Sequence, residues 1–133
     1  MGKLTLTAAF ERYGATPINT RWSCSEIAAD GSLVLSGWDH LKKYVGDRLR
    51  YEDRLSRLSN NHWGRERLRR HIAQAVASNL PVRLIIATAD DAAAIETEAD
   101  ASKVPKTFSV HDDVIGKVIS FDGDSFVIEF HEA

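Results

Sequence analysis

The C-terminal stretch constrains the fold most. Val114 to Phe121 and Ser125 to His131 are apolar, β-branched runs separated by Asp122-Gly-Asp124. Such runs around an Asp-Gly turn read as a β-hairpin. A Gly123-Asp124 loop pairs Phe121 with Phe126 and Ile119 with Ile128, with Phe130 on the same face. Val118, Ser120, Val127 and Glu129 take the other. One apolar face and one mixed face imply an antiparallel sheet covered by helices on one side.

The clearest helix runs from Arg65 to Leu80 and ends before Pro81. Leu68, Ile72, Ala75, Val76 and Asn79 or Leu80 form its inner stripe. Arg67, Arg70 and Gln74 point directly away from that stripe. Arg65 and Arg69 flank it, where their stems can lie on apolar surface while the heads reach water. Val82 to Ala87 is the best candidate for a central strand, and Leu4 to Tyr13 reads as a short helix stopped by Gly14. Gly46 to Tyr51 and Thr107 to Val110 are shorter strand candidates. Asp90 to Ala101 is either a short helix or a solvated loop. The expected fold is α+β: residues 1–133 as a single domain, mainly antiparallel sheet with two or three helices packed on one face.

A second hairpin is expected from Arg21 to Ile27 and Ser32 to Trp38 around Asp30-Gly31. A two-residue Asp30-Gly31 loop pairs Ser23 with Trp38, whereas a three-residue Ala29-Asp30-Gly31 loop pairs Trp22 with Trp38, because one residue of slip reverses the faces. The two-residue loop is preferred. It gathers Trp22, Cys24, Leu33 and Leu35 on one apolar face, buries Cys24, and leaves Trp38 among Ser23, Ser25 and Ser36 as an exposed aromatic.

The net charge of −2 conceals an uneven distribution. From Leu41 to Arg83 there are eleven Lys/Arg against four Asp/Glu, and from Leu84 to Ala133 three against eleven. Such asymmetry bears on partners rather than on fold, unless the two parts simply neutralise each other. The lone Cys24 permits no internal disulfide and fits a reducing compartment. The start lacks the apolar run of a signal peptide, and no stretch approaches the roughly 18 apolar residues of a membrane span. A cytoplasmic protein with no membrane association is expected.

Catalytic patterns are missing. His40, His62, His71, His111 and His131 form no pair at metal-ligand spacing, and one cysteine cannot build a structural zinc site. His111-Asp112-Asp113 reads as a solvated turn sooner than as a hard-cation site. Neither a phosphate loop nor a nucleophile elbow is present. No enzymatic activity, metal or cofactor is expected. A small enzyme around His111, Asp112 and Asp113 is the third-ranked reading.

The strongest positive signal is Trp63-Gly-Arg-Glu-Arg-Leu-Arg-Arg70. Guanidinium groups match phosphate oxygens bidentately, and several such contacts give salt-dependent attraction to a nucleic-acid backbone. Tyr44, Tyr51 and Trp63 lie in the same basic stretch, where aromatics can stack on exposed bases.

Asn19-Thr-Arg-Trp22-Ser-Cys-Ser25, then Asp30-Gly31 and Val34-Leu-Ser-Gly-Trp38, resembles a pattern of the Asn-x-x-Trp-Ser-Trp type followed by a second strand ending in tryptophan. That pattern is similar to one in the non-catalytic N-terminal domains of bacterial HNH endonucleases, including McrA-like enzymes that act on modified DNA, and in related stand-alone bacterial proteins. Cys24 stands where the pattern has its second tryptophan, and no HNH module is expected to follow. The resemblance implies a DNA-associated module without the cleaving part.

The leading expectation is a bacterial nucleic-acid-binding domain, DNA ahead of RNA, linked to restriction or phage defence. Arg65, Arg67, Arg69 and Arg70 would contact phosphates, with Trp38 and Trp63 as stacking surfaces. The alternative is a protein-interaction module, such as a phage- or mobile-element-encoded inhibitor, whose acidic C-terminal third meets a protein partner.

Overall fold

Chain length alone forces this sheet to curl. A computed structural model describes residues 5–16, 24–58, 62–89, 106–111 and 113–132. The strands are β1 (Ser25–Ile27), β2 (Leu33–Trp38), β3 (Lys42–Val45), β4 (Arg48–Arg54), β5 (Val82–Ala89), β6 (Lys106–Val110), β7 (Val114–Phe121) and β8 (Ser125–Glu132). They join in the order β1-β2-β5-β7-β8-β4-β3, with β6 also on β5. In a flat sheet β2 and β3 would lie roughly 24 Å apart at about 4.8 Å per strand. Yet only the 3₁₀ turn Asp39–Leu41 links them, a path of at most about 14 Å.

The curl is sealed from inside. The Trp38 N–H donates to the Tyr51 hydroxyl at 3.0 Å, joining the end of β2 to β4. Gly37 makes room for the ring, since a Cβ there would sit 2.7 Å from Tyr51 Cε1 and Cζ. Tyr51, expected among possible stacking aromatics, is therefore buried core.

Among the described residues eight strands and two α-helices, α1 (Leu6–Arg12) and α2 (His62–Ser78), form a single small α+β domain. The sheet is mixed but mostly antiparallel; β2 and β5 run parallel. The terminal hairpin, the clearest helix and the central position of β5 match the sequence reading. Packing of the helices on one face does not. Leu68, Ile72 and Ala75 of α2 join Leu33, Leu35, Leu84, Ile86, Tyr51, Phe126, Ile128 and Phe130 inside the curl. Ala9 and Phe10 of α1 pack instead with Val34 and Ile85, on the opposite side. The reason lies in β2 and β5, which are apolar at consecutive positions and so need cover on both faces.

Two registers differ from expectation. The first hairpin pairs Ser25 with Leu35 and Ile27 with Leu33, and the Ala28 N–H donates to Ser32 O at 2.8 Å. That is the three-residue Ala29-Asp30-Gly31 loop. It is a β-turn closed by Gly31 N–H on Ala28 O at 2.9 Å, with Gly31 at φ +89°, as such loops require. In the last hairpin Phe121 does pair with Phe126, but a bulge between Val118 and Ser120 gives Ile128 to Val118 and turns Ile119 to solvent. Asp90 to Ala101 and Trp22 lie outside the described residues.

Candidate nucleic-acid interface

The inner stripe of α2 is rotated from the one expected. Gly64, Leu68, Ile72 and Ala75 are buried, while Val76 is 52% exposed. The rotation turns Arg67 toward β1 instead of solvent.

Arg67, expected at a phosphate, is consequently paired within the fold. Its Nη2 lies 2.5 Å from Oε1 of Glu26, whose side chain is 5% exposed. Its guanidinium carbon stands 5.0 Å from the centre of the Trp63 ring, a cation–π stack one helical turn apart. His71 completes this buried polar seam, with Nδ1 2.6 Å from Ser25 Oγ. Burial pushes the His71 pKa below its ordinary value; Arg67 and Arg70 push the same way and Glu26 opposes.

Trp38 offers no stacking surface either. It is 8% exposed and packs with Ala87, Leu41 and Phe108. The expectation failed because β6 lays Phe108 opposite Ala87 and so covers the face that the serines had marked as polar.

What remains on α2 is compact. Arg69 and Arg70 are exposed, Arg65 lies on the flank, and Trp63 is 40% exposed. Arg69 is held by Glu66 at 2.9 Å. Arg70 Nε reaches the Glu66 carbonyl at 3.5 Å, and no carboxylate among the described residues is paired with its guanidinium.

The sequence reading missed the outer face of the sheet. Leu49 and Tyr51 of β4 point inward, so Arg48, Arg50, Glu52 and Arg54 point outward. The registers place Lys117, Glu129, Arg50 and Lys43 in one row across β7, β8, β4 and β3. Glu129 bridges Arg48 at 3.0 Å and Arg50 at 2.9 Å, and Lys43 meets Glu52 at 2.6 Å. The signal was present in Arg48-Leu-Arg-Tyr-Glu-Asp-Arg54, where Arg48, Arg50, Glu52 and Arg54 are charged at every second position.

Other constellations carry little chemistry. Among the described residues no group of three or more His, Cys, Asp or Glu is placed to hold a metal ion. His111 Nδ1 is 3.6 Å from Asp113 Oδ1, and Asp112 lies outside the described residues. Cys24 is half-buried at the margin of the core. A shallow pocket of about 280 Å³ is lined by Leu41, Asp53 and Phe126, but Asp53 already accepts from the Tyr51 hydroxyl and the Arg54 N–H. No helix among the described residues is long and apolar enough to cross a membrane.

No family model, curated protein or solved structure gives a significant match to the chain. The resemblance to HNH endonuclease domains rests on the residues quoted for it.

Proposed function

We propose that this chain binds nucleic-acid backbone, DNA ahead of RNA, through the outward face of the first half of α2. The observation that carries the reading is the grouping of Arg69, Arg70 and flanking Arg65 beside half-exposed Trp63. The buried carboxylate Glu26 is already neutralised by Arg67, and Glu66 engages Arg69 within the group. Arginines supply phosphate contacts and the indole a surface for a base. The setting in restriction or phage defence follows from the resemblance. The rival docking role for the acidic third loses Glu129, which Arg48 and Arg50 take up.

The test is a salt titration of wild type and Arg69→Gln/Arg70→Gln against duplex DNA. Losing two phosphate contacts reduces the slope of log affinity against log salt by roughly 1.8. Wild type that fails to bind even at low salt refutes the reading.

A further inference from the structure

The β3–β4 hairpin extends past the core. Its two-residue turn is Gly46-Asp47, with Gly46 at φ +65°. Lys43, Tyr44, Val45 and Arg48 are all exposed. Tyr44 shares the inward phase of β3 with Lys42, yet is 65% exposed, so no core covers it there. Among the described residues β3 is the last strand of the sheet, pairing with β4 alone. The shortness of β3 and its two lysines guard this edge against pairing with another strand, but the Tyr44 ring stays open to a flat partner.

Charge says what kind of occupant fits. On the adjoining outer face Lys43, Arg48, Arg50, Arg54 and Lys117 stand against Glu52 and Glu129, and Asp47 at the turn still leaves an excess of cations. The row from Lys117 to Lys43 crosses four strands, about 14 Å at the usual spacing, with Glu129 in its interior. That carboxylate orients two guanidiniums and leaves both with donors directed elsewhere, since each arginine has five N–H groups.

We propose that this row and the hairpin edge form a second nucleic-acid contact, selective for a single strand that passes over the edge of β3: Lys117, Arg50, Arg48 and Lys43 on the outer face seat its phosphates, while Tyr44, on the opposite face of the same edge, stacks on an unpaired base. A duplex presents no free base face to a ring at a strand edge, whereas a single strand does. The inference rests on the nucleic-acid reading of the chain but uses none of the α2 residues.

The experiment compares wild type, Lys43→Gln/Lys117→Gln, Tyr44→Ala and Arg69→Gln/Arg70→Gln. Each is titrated against single- and double-stranded DNA and RNA oligonucleotides at several salt concentrations, with urea midpoints confirming folding. The lysine variant should lose about 1.4 from the single-strand slope, since each contact contributes about 0.7. Tyr44→Ala should weaken single-strand binding by about 5- to 150-fold with the slope unchanged. Single-strand binding by both variants indistinguishable from wild type, while the α2 variant weakens, overturns this inference and leaves the α2 reading standing. No binding by wild type removes both. A concentration-dependent dimer that Tyr44→Ala abolishes, with nucleic-acid binding unaltered, overturns it in favour of a second copy of this chain on the edge.

Discussion

Replacing Arg67 with glutamine separates a structural arginine from a ligand-binding one. The change leaves Glu26, 5% exposed at its side chain, without the guanidinium that neutralises it. Breaking a buried pair from one side costs about 3–5 kcal/mol. Arg67 keeps a side-chain exposure of 20%, so water already screens part of the pair, and about 2–4 kcal/mol is the expected loss. Against a total stability of about 5–15 kcal/mol that is severe, equivalent to a melting temperature lower by about 10 °C. Urea unfolding followed by far-UV circular dichroism measures it directly. Arg70→Gln, one turn away and exposed, should stay within about 0.5 kcal/mol of wild type. The double variant Glu26→Leu/Arg67→Met should recover most of the loss, because an apolar pair strands no charge. If Arg67→Gln unfolds at the wild-type midpoint and instead weakens DNA binding, Arg67 faces solvent and the rotated helix is wrong.

Gly37→Ala should destabilise by about 1–3 kcal/mol through overpacking against Tyr51, and Tyr51→Leu in the same chain should relieve the strain; additive losses in urea would refute the close approach. His71 is harder to protonate folded than unfolded, so the unfolded chain binds more protons and stability falls as pH drops from the ordinary value of 6.5 through the lower folded one. Midpoints measured between pH 7.5 and 5.5 should show this fall in wild type and a smaller one in His71→Asn; equal falls would place the pH dependence elsewhere.

Local rules reached those parts of the fold that local chemistry decides. The Asp122-Gly-Asp124 turn, the stop before Pro81 and the apolar run at Val82 each depend on a few neighbouring residues, and β7, β8, α2 and β5 follow. The misplaced parts depend on contacts remote in sequence. Whether Val76 or Ala75 faces inward depends on how closely the sheet approaches α2. Whether Trp38 is exposed depends on Phe108 of β6, some seventy positions along. The hairpin register turned on a single residue of loop, and the serine pattern used to choose it misled because buried Ser25 is satisfied by His71. For the candidate site the helix arginines were legible as a group. Which of them is structural was not, since Glu26 meets Arg67 across forty-one positions.

The charge map shows the same limit from another side. Among the described residues the basic middle and the acidic last third do not form two separate poles, because the sheet order interleaves them. β8, from the acidic third, lies between β4 and β7, so Glu129 lands between Arg50 and Lys117 instead of on an acidic surface of its own. Glu129 therefore fixes the direction of Arg48 and Arg50 without cancelling the whole row. Charges spread along the chain become an organised cationic row only where antiparallel registers align them, and Arg50 is where the registers from β3 and β8 meet.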